Sequence, residues 1–381
     1  MKLNTAIHDK LSLGLFVRRK GESKLLLRHA VTEADLRPAR DETWWQAVRS
    51  GVLPEDLAAI NVEVLPGENL SADWVNGLSI RLSDGKRVYI RKFPISILAA
   101  KALALKRKLI EKEVITKHDT CFYFLSALPA EEEQALPEAP EFRVKVRPNP
   151  VPLETASLAE YRETSKPMEG NPKPDLDCGT DSAEPMPVFI TPDAWEQAHD
   201  LARRGGDKES GGILTGRLMR DADSTEVFMV VEACLEAEKA AEKEYTVSFS
   251  GETWSRIHGL LAQRRQRLGR PKEIIVGSVH GHNFMVGENT QGSSKCDTCE
   301  QRHLCCQTTA FASTTDLEWH KIHFTGQPWC VLLVWGWSAR GAEQWRLYGL
   351  SGAVLAPRGL DRMKAETPEP GGTHDQEDSK V

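Results

Sequence analysis

The side chains best placed to do chemistry are His280 and His282 in His280-Gly281-His282. The pair closes a β-branched run, residues 273–279, that reads as a strand. Positions i and i+2 of a strand share a face, so two imidazoles can aim at one ion. Nitrogen ligands suit Zn²⁺, and a catalytic zinc site takes three protein ligands and leaves the fourth position open. A His-x-His pair by itself is more often structural, so the reading needs further ligands. Softer ligands follow at once. Cys296, Cys299, Cys305 and Cys306 fall within eleven residues, with His303 among them. Thiolates with an imidazole suit a structural Zn²⁺, and the spacing also fits an iron–sulfur cluster or redox-active or unligated thiols. His320 and His323 read as core or surface residues, with a second metal site as the lesser alternative.

The elements that must carry these groups are legible in outline. Thr191-Pro192-Asp193 reads as a helix cap with proline in the first turn, and Trp195, Ala198, Leu201 and Ala202 form the apolar stripe of that helix. Gly205-Gly206 ends it. Strands are expected at 213–215, 227–231, 329–337 and 344–350. A second helix starts near Ser250, buries Trp254, Ile257, Leu261 and Leu268, and stops at Gly269. Strands and helices mix without strict βαβ alternation, which points to an α/β sheet layered with helices.

Two further segments make the pattern specific. Glu209 leads directly into Ser210-Gly211-Gly212-Ile213-Leu214-Thr215-Gly216, and Ser313-Thr314-Thr315-Asp316 follows Ala310-Phe311. With Val276-Gly277-Ser278-Val279-His280-Gly281-His282, these segments resemble the JAMM (MPN-domain) zinc metalloproteases, and Ala310-Phe311 is similar to the deubiquitinating members. The resemblance covers roughly residues 187–355, and nothing comparable lies in 1–130. It implies that His280, His282 and Asp316 hold Zn²⁺, which acidifies a water to a pKa of about 7. It makes Glu209 the general base that later returns the proton to the leaving amine, and Ser313 a hydrogen-bond donor to the oxyanion. Taken singly, Glu209 reads as a solvated loop acid, Ser313 as a helix cap, and Asp316 as a partner of the helix dipole. The chain departs from the family in three places. Gly281 stands where Ser or Thr is usual, which is expected to widen the site. Asn283 stands where Pro is usual. The Cys-rich stretch 284–306 is an insertion, and a metal-stapled loop there would shape access of the substrate.

The rest of the chain frames this unit. Twelve of the 21 prolines fall between Pro129 and Pro192. That composition divides the chain into a smaller α+β N-terminal domain at 1–130, a Pro/Glu-rich linker at 131–186, a C-terminal domain at 187–357 and a disordered tail at 358–381. For 187–357 the resemblance implies a JAMM-like mixed sheet flanked by helices. In the first domain, strands are expected at 11–17 and 24–27, a hairpin at 78–93 around Ser83-Asp84-Gly85, and a helix at 95–113. Residues 86–112 carry nine basic side chains and one acid, Glu111. They read as a solvated helix face or as a patch for an acidic partner.

Composition narrows the class. Lys+Arg of 49 against Asp+Glu of 55 gives a net charge of −6, which argues against a dedicated nucleic-acid binder. Eight cysteines in 381 residues are too few for a disulfide scaffold and fit a reducing compartment. The longest apolar run, 329–337, is about half of what spans a bilayer. The first residues lack a signal-peptide pattern, since Asp9 and Lys10 precede the short apolar stretch and Arg18, Arg19 and Lys20 follow it. A cytoplasmic protein without a membrane partner is expected. The resemblance implies a zinc-dependent isopeptidase or peptidase that removes ubiquitin or a ubiquitin-like modifier, with the N-terminal domain expected to recruit a substrate or a conjugation-pathway protein. The alternatives are a non-catalytic scaffold of the same fold and a peptidase that trims a small sulfur-carrier-like protein.

Overall fold

The computed structural model describes residues 13–22, 24–56, 60–66, 70–71, 74–75, 77–127, 151–168, 185–204, 209–237, 241–243, 246–282, 308–324, 326–338, 341–351 and 354–365. Cys296, Cys299, His303, Cys305 and Cys306, with the whole 284–306 insertion, lie outside the described residues, as do Gly205-Gly206 and the tail beyond 365.

The N-terminal unit opens with β1 (Leu13–Arg19), β2 (Leu25–Ala30) and α1 (Glu33–Arg49). It continues with β3 (Asn61–Pro66), β4 (Leu70–Ser71), β5 (Trp74–Val75), β6 (Gly77–Ser83), β7 (Val88–Pro94), α2 (Ala99–Glu111) and β8 (Cys121–Ala127). The strands form two antiparallel sheets, β2-β1-β8-β5-β4 and β3-β6-β7. The expected hairpin is β6–β7. Its turn is set by Asp84, whose carboxylate accepts the Lys86 and Arg87 N–H groups, and by Gly85 at φ 88°. The expected helix at 95–113 begins as a 3₁₀ turn, Ile95–Leu98, before α2.

The helix α1 has no counterpart in the sequence reading. It carries Pro38 and buries Asp41, Glu42 and Thr43 beside Trp44 and Trp45. Those polar groups are satisfied across the fold: Asp41 Oδ2 accepts the Gly326 N–H, and Glu42 pairs with Arg91 at 2.8 Å. Part of the basic stretch pairs within the molecule, while Lys86, Arg87, Arg107, Lys108 and Lys112 are exposed, as a solvated face requires. Arg87 pairs with Asp84, Arg91 with Glu42, Lys101 with Asp35 and Arg107 with Glu318.

The C-terminal unit is a curled, mostly antiparallel mixed sheet with helices against it. Its elements are β9 (Leu153–Ala156), α3 (Leu158–Glu163), β10 (Ser165–Pro167), β11 (Val188–Ile190), α4 (Pro192–Arg203), β12 (Gly211–Asp221) and β13 (Val227–Glu236). After the short hairpin β14 (Ala241–Lys243) and β15 (Thr246–Ser248) come α5 (Gly251–Leu268), β16 (Ile274–Gly281), α6 (Thr314–His323), β17 (Val331–Trp337), β18 (Glu343–Ser351), β19 (Val354–Arg358) and β20 (Asp361–Met363). The strand order is β10-β20-β11-β13-β12-β16-β17-β18-β19, with β9 also on β12.

This corrects two boundaries. The span 131–186, expected as linker, contains β9, α3 and β10, because Leu153 pairs in register with Leu218, and Val151 and Leu158 are buried. The expected tail contributes β20, which pairs in parallel with β11. In α5, Ile257 and Leu261 are buried as expected, whereas Leu268 is 41% exposed at the last turn before Gly269. Among the described residues no helix is long and apolar enough to cross a membrane.

The N-terminal unit packs on the segment that follows α6. The rings of Trp44 and Trp45 lie 6.4 and 5.3 Å from that of Trp329.

Candidate metal centre

The strand β16 lies between β12, antiparallel, and β17, parallel. Its last residues are held on both sides: the Gly281 N–H donates to Ser210 O at 3.0 Å and the His282 N–H to Trp335 O at 2.8 Å. That pairing keeps 280–282 extended and sends both imidazoles to one face. Nε2 of His280 and Nε2 of His282 stand 3.1 Å apart. Two nitrogens on a tetrahedral zinc, each at about 2.0–2.1 Å, would be about 3.3 Å apart, so the pair fits one ion.

Glu209 reaches the same point from the residues leading into β12. Its Oε1 lies 3.7 Å from His282 Nε2, and it is 5% exposed. Ser210 anchors that approach by donating its hydroxyl to Leu201 O at 2.7 Å, in the last turn of α4. The ligand atoms of Glu209, His280 and His282 all lie within 4.8 Å of one another.

Asp316 joins through His280, with Oδ1 at 3.5 Å from Nε2. Its other oxygen is committed to the helix. Oδ2 accepts the Ser313 N–H at 2.7 Å, while Ser313 Oγ accepts the Asp316 N–H at 3.1 Å. This is a reciprocal capping box at the start of α6. The cap and the ligand readings of Ser313-x-x-Asp316 are therefore compatible: one carboxylate oxygen serves each. Ser313 Oγ accepts in the cap and keeps its proton to donate.

Two contacts orient His282 and were not legible beforehand. Its Nδ1 donates to the carbonyl oxygen of Thr309 at 2.6 Å, which leaves the Nε2 lone pair facing the site. The ring of Phe311, 41% exposed, meets that of His282 edge-on at 5.3 Å. Thr309 acts through its backbone, so no side-chain signature announces it. The segment 308–312 is fixed to the end of β17. Trp337 N–H donates to Thr309 Oγ1 at 2.7 Å, and Tyr348 OH donates to Ala310 O at 3.1 Å. Gly336 permits this docking, since a β-carbon there would lie 2.4 Å from Ala310 N.

Gly281 does not widen the site. A β-carbon on it would lie 2.0 Å from Ala202 O, so the position faces the end of α4.

Electrostatics follow from burial. Burial, and then the charge of Asp316, pushes the Glu209 carboxyl up to about 8. Burial and the adjacent His280 push His282 down, which keeps its ring neutral and able to ligate.

His320 and His323 do not join the centre. His320 is fully buried with its ring 4.8 Å from that of Phe324, and His323 stacks on Trp254 at 5.4 Å.

The chain matches no known family model, and no curated protein matches it. Among solved structures, it is similar to the solution structure of protein DSY2949 from Desulfitobacterium hafniense. The two are 15% identical, with a TM-score of 0.29, over 46% of this chain and 93% of that one.

Proposed function

We propose that residues 187–357 form a zinc-dependent peptidase or isopeptidase that removes ubiquitin or a ubiquitin-like modifier from a target or precursor. The observation that carries the reading is the 3.1 Å approach of the two Nε2 atoms of His280 and His282, with Glu209 and Asp316 bordering them. His280, His282 and Asp316 Oδ1 would hold the zinc. Zinc held there supplies Lewis acidity and lowers the pKa of water toward neutrality. Glu209 Oε1 takes the proton of the attacking water and hands it to the departing amine nitrogen. Ser313 Oγ–H points its remaining proton to the developing oxyanion. Phe311 offers an apolar surface for the chain entering beside His282. The N-terminal unit recruits the substrate or a conjugation-pathway partner.

The test joins metal counting to cleavage. Purified full-length protein is assayed by elemental analysis and against a panel of ubiquitin-like fusions, with and without a chelator. Chelator-sensitive cleavage is expected. Glu209→Gln is expected to keep its zinc and lose cleavage, and His282→Gln to lose one zinc. Cleavage that survives in Glu209→Gln overturns the assignment. Less than one zinc per chain after gentle purification favours a scaffold role instead.

A further inference from the structure

The interface between the two units holds a second site that the peptidase reading does not use. A cavity of about 20 Å³ is walled by Glu42, Trp45, Arg49, Trp329, Gly349 and Arg358. That is room for one water-sized occupant.

The groups around it are short of acceptors. Trp329 is 8% exposed, and its Nε1 finds no acceptor among the described residues. Arg91 Nη1 is likewise buried without one. Indole and guanidinium nitrogens can only donate, so the missing partner is an acceptor.

Charge points the same way. Glu42 is the one carboxylate among the lining residues and is 2% exposed; it is already paired with Arg91 at 2.8 Å. Arg49 and Arg91 both lie within electrostatic reach of Arg358. Lys321 approaches the same carboxylate from α6, with Glu318 also within its reach. Arg358 is held flat against β18 by a bond from Nη2 to Leu350 O at 2.7 Å, and Gly349 makes the room, since a β-carbon there would lie 2.8 Å from Arg358 Nε. Burial, with Arg49 and Arg91 alongside, pushes the Arg358 guanidinium down to about 10 against the pull of Glu42. Arg49 and Arg358 thus share the cavity wall with one carboxylate, itself paired with Arg91, in a setting that solvates them poorly, and such a cluster calls for a counter-charge. Water is a poor filler, because its own protons would need acceptors that are already in short supply.

We propose that this cavity binds a single halide-sized anion, chloride in ordinary solution, that pins α1 to the β17 and β19 side of the C-terminal unit. The anion accepts from Trp329 Nε1 and from the guanidinium groups around it.

The experiment uses the full-length chain. Its melting midpoint is followed as sodium chloride replaces sodium gluconate at constant ionic strength. A saturable rise of about 2 °C is expected as chloride passes its dissociation constant. Trp329→Phe keeps the ring packing on Trp45 and removes the donor, and it should abolish the rise. Crystals soaked in bromide give a readout that needs no variant: an anomalous peak within hydrogen-bond distance of Trp329 Nε1. Identical midpoints in the two salts, a rise that survives in Trp329→Phe, or no bromide peak in the cavity overturns the proposal.

Discussion

Gly281 lies against the carbonyl oxygen of Ala202 so closely that a β-carbon would stand 2.0 Å from it. The residue between two candidate ligands therefore faces the helix that packs on their strand. Gly281→Ser is expected to destabilise the protein by about 2 kcal/mol, with part of its zinc lost as 280–282 shifts. A melting curve and a metal count check both. An unchanged midpoint with full zinc content would show that α4 does not approach this closely.

Asp316 divides its carboxylate between His280 and the Ser313 N–H. Asp316→Asn keeps a side-chain oxygen for the cap and removes the anionic ligand. Its stability without metal should fall by no more than about 1 kcal/mol, the usual worth of a cap, while zinc affinity falls at least tenfold. Denaturant melts and competition with a zinc chelator separate the two effects. Equal zinc affinity in variant and wild type would remove Asp316 from the ligand set.

Zinc should also act as a stabilising ligand of the folded state. At a free concentration of 100 times the dissociation constant it adds about 2.7 kcal/mol. Stripping the metal is expected to lower the melting midpoint of the wild type more than that of His282→Gln. Equal shifts in the two proteins would assign the zinc to some other site.

His320 sets an acid limit on stability. Burial pushes its folded-state pKa from 6.5 to about 4. The folded chain thus resists a proton that the unfolded chain accepts. The contribution is complete above about pH 6.5, is lost as pH falls from there to about 4, and changes no further below that. The loss amounts to about 3 kcal/mol. In His320→Leu the pH dependence of unfolding between pH 6.5 and 4 should be shallower by that amount. Identical slopes in urea melts across that range would refute the assignment.

What was legible beforehand follows from which interactions are local. The turn at Asp84-Gly85 and the cap at Thr191 are made by neighbours in sequence, and both formed as read. The helix α1 escaped notice because Pro38 interrupts its pattern and its buried Asp41 and Glu42 depend on Gly326 and Arg91, far along the chain. The strand β9 was hidden by a polar, proline-rich setting in which only Val151, Leu153 and Leu158 signal burial. At the candidate centre, His280 and His282 were legible from residue type and strand spacing, whereas Glu209 and Asp316 entered only through the resemblance. Thr309 was not, because its contribution is a carbonyl that any residue could offer.

The pairing of β16 between β12 and β17 also bears on how the centre forms. Gly211 faces His280 across one ladder and Val334 faces His280 across the other, so contacts of long sequence separation assemble it from both sides. Closing such loops costs entropy before any contact rewards it, which makes these late events in folding. On the proposed reading, zinc captured by His280 and His282 would be a latch on a finished sheet, slowing unfolding more than it speeds folding.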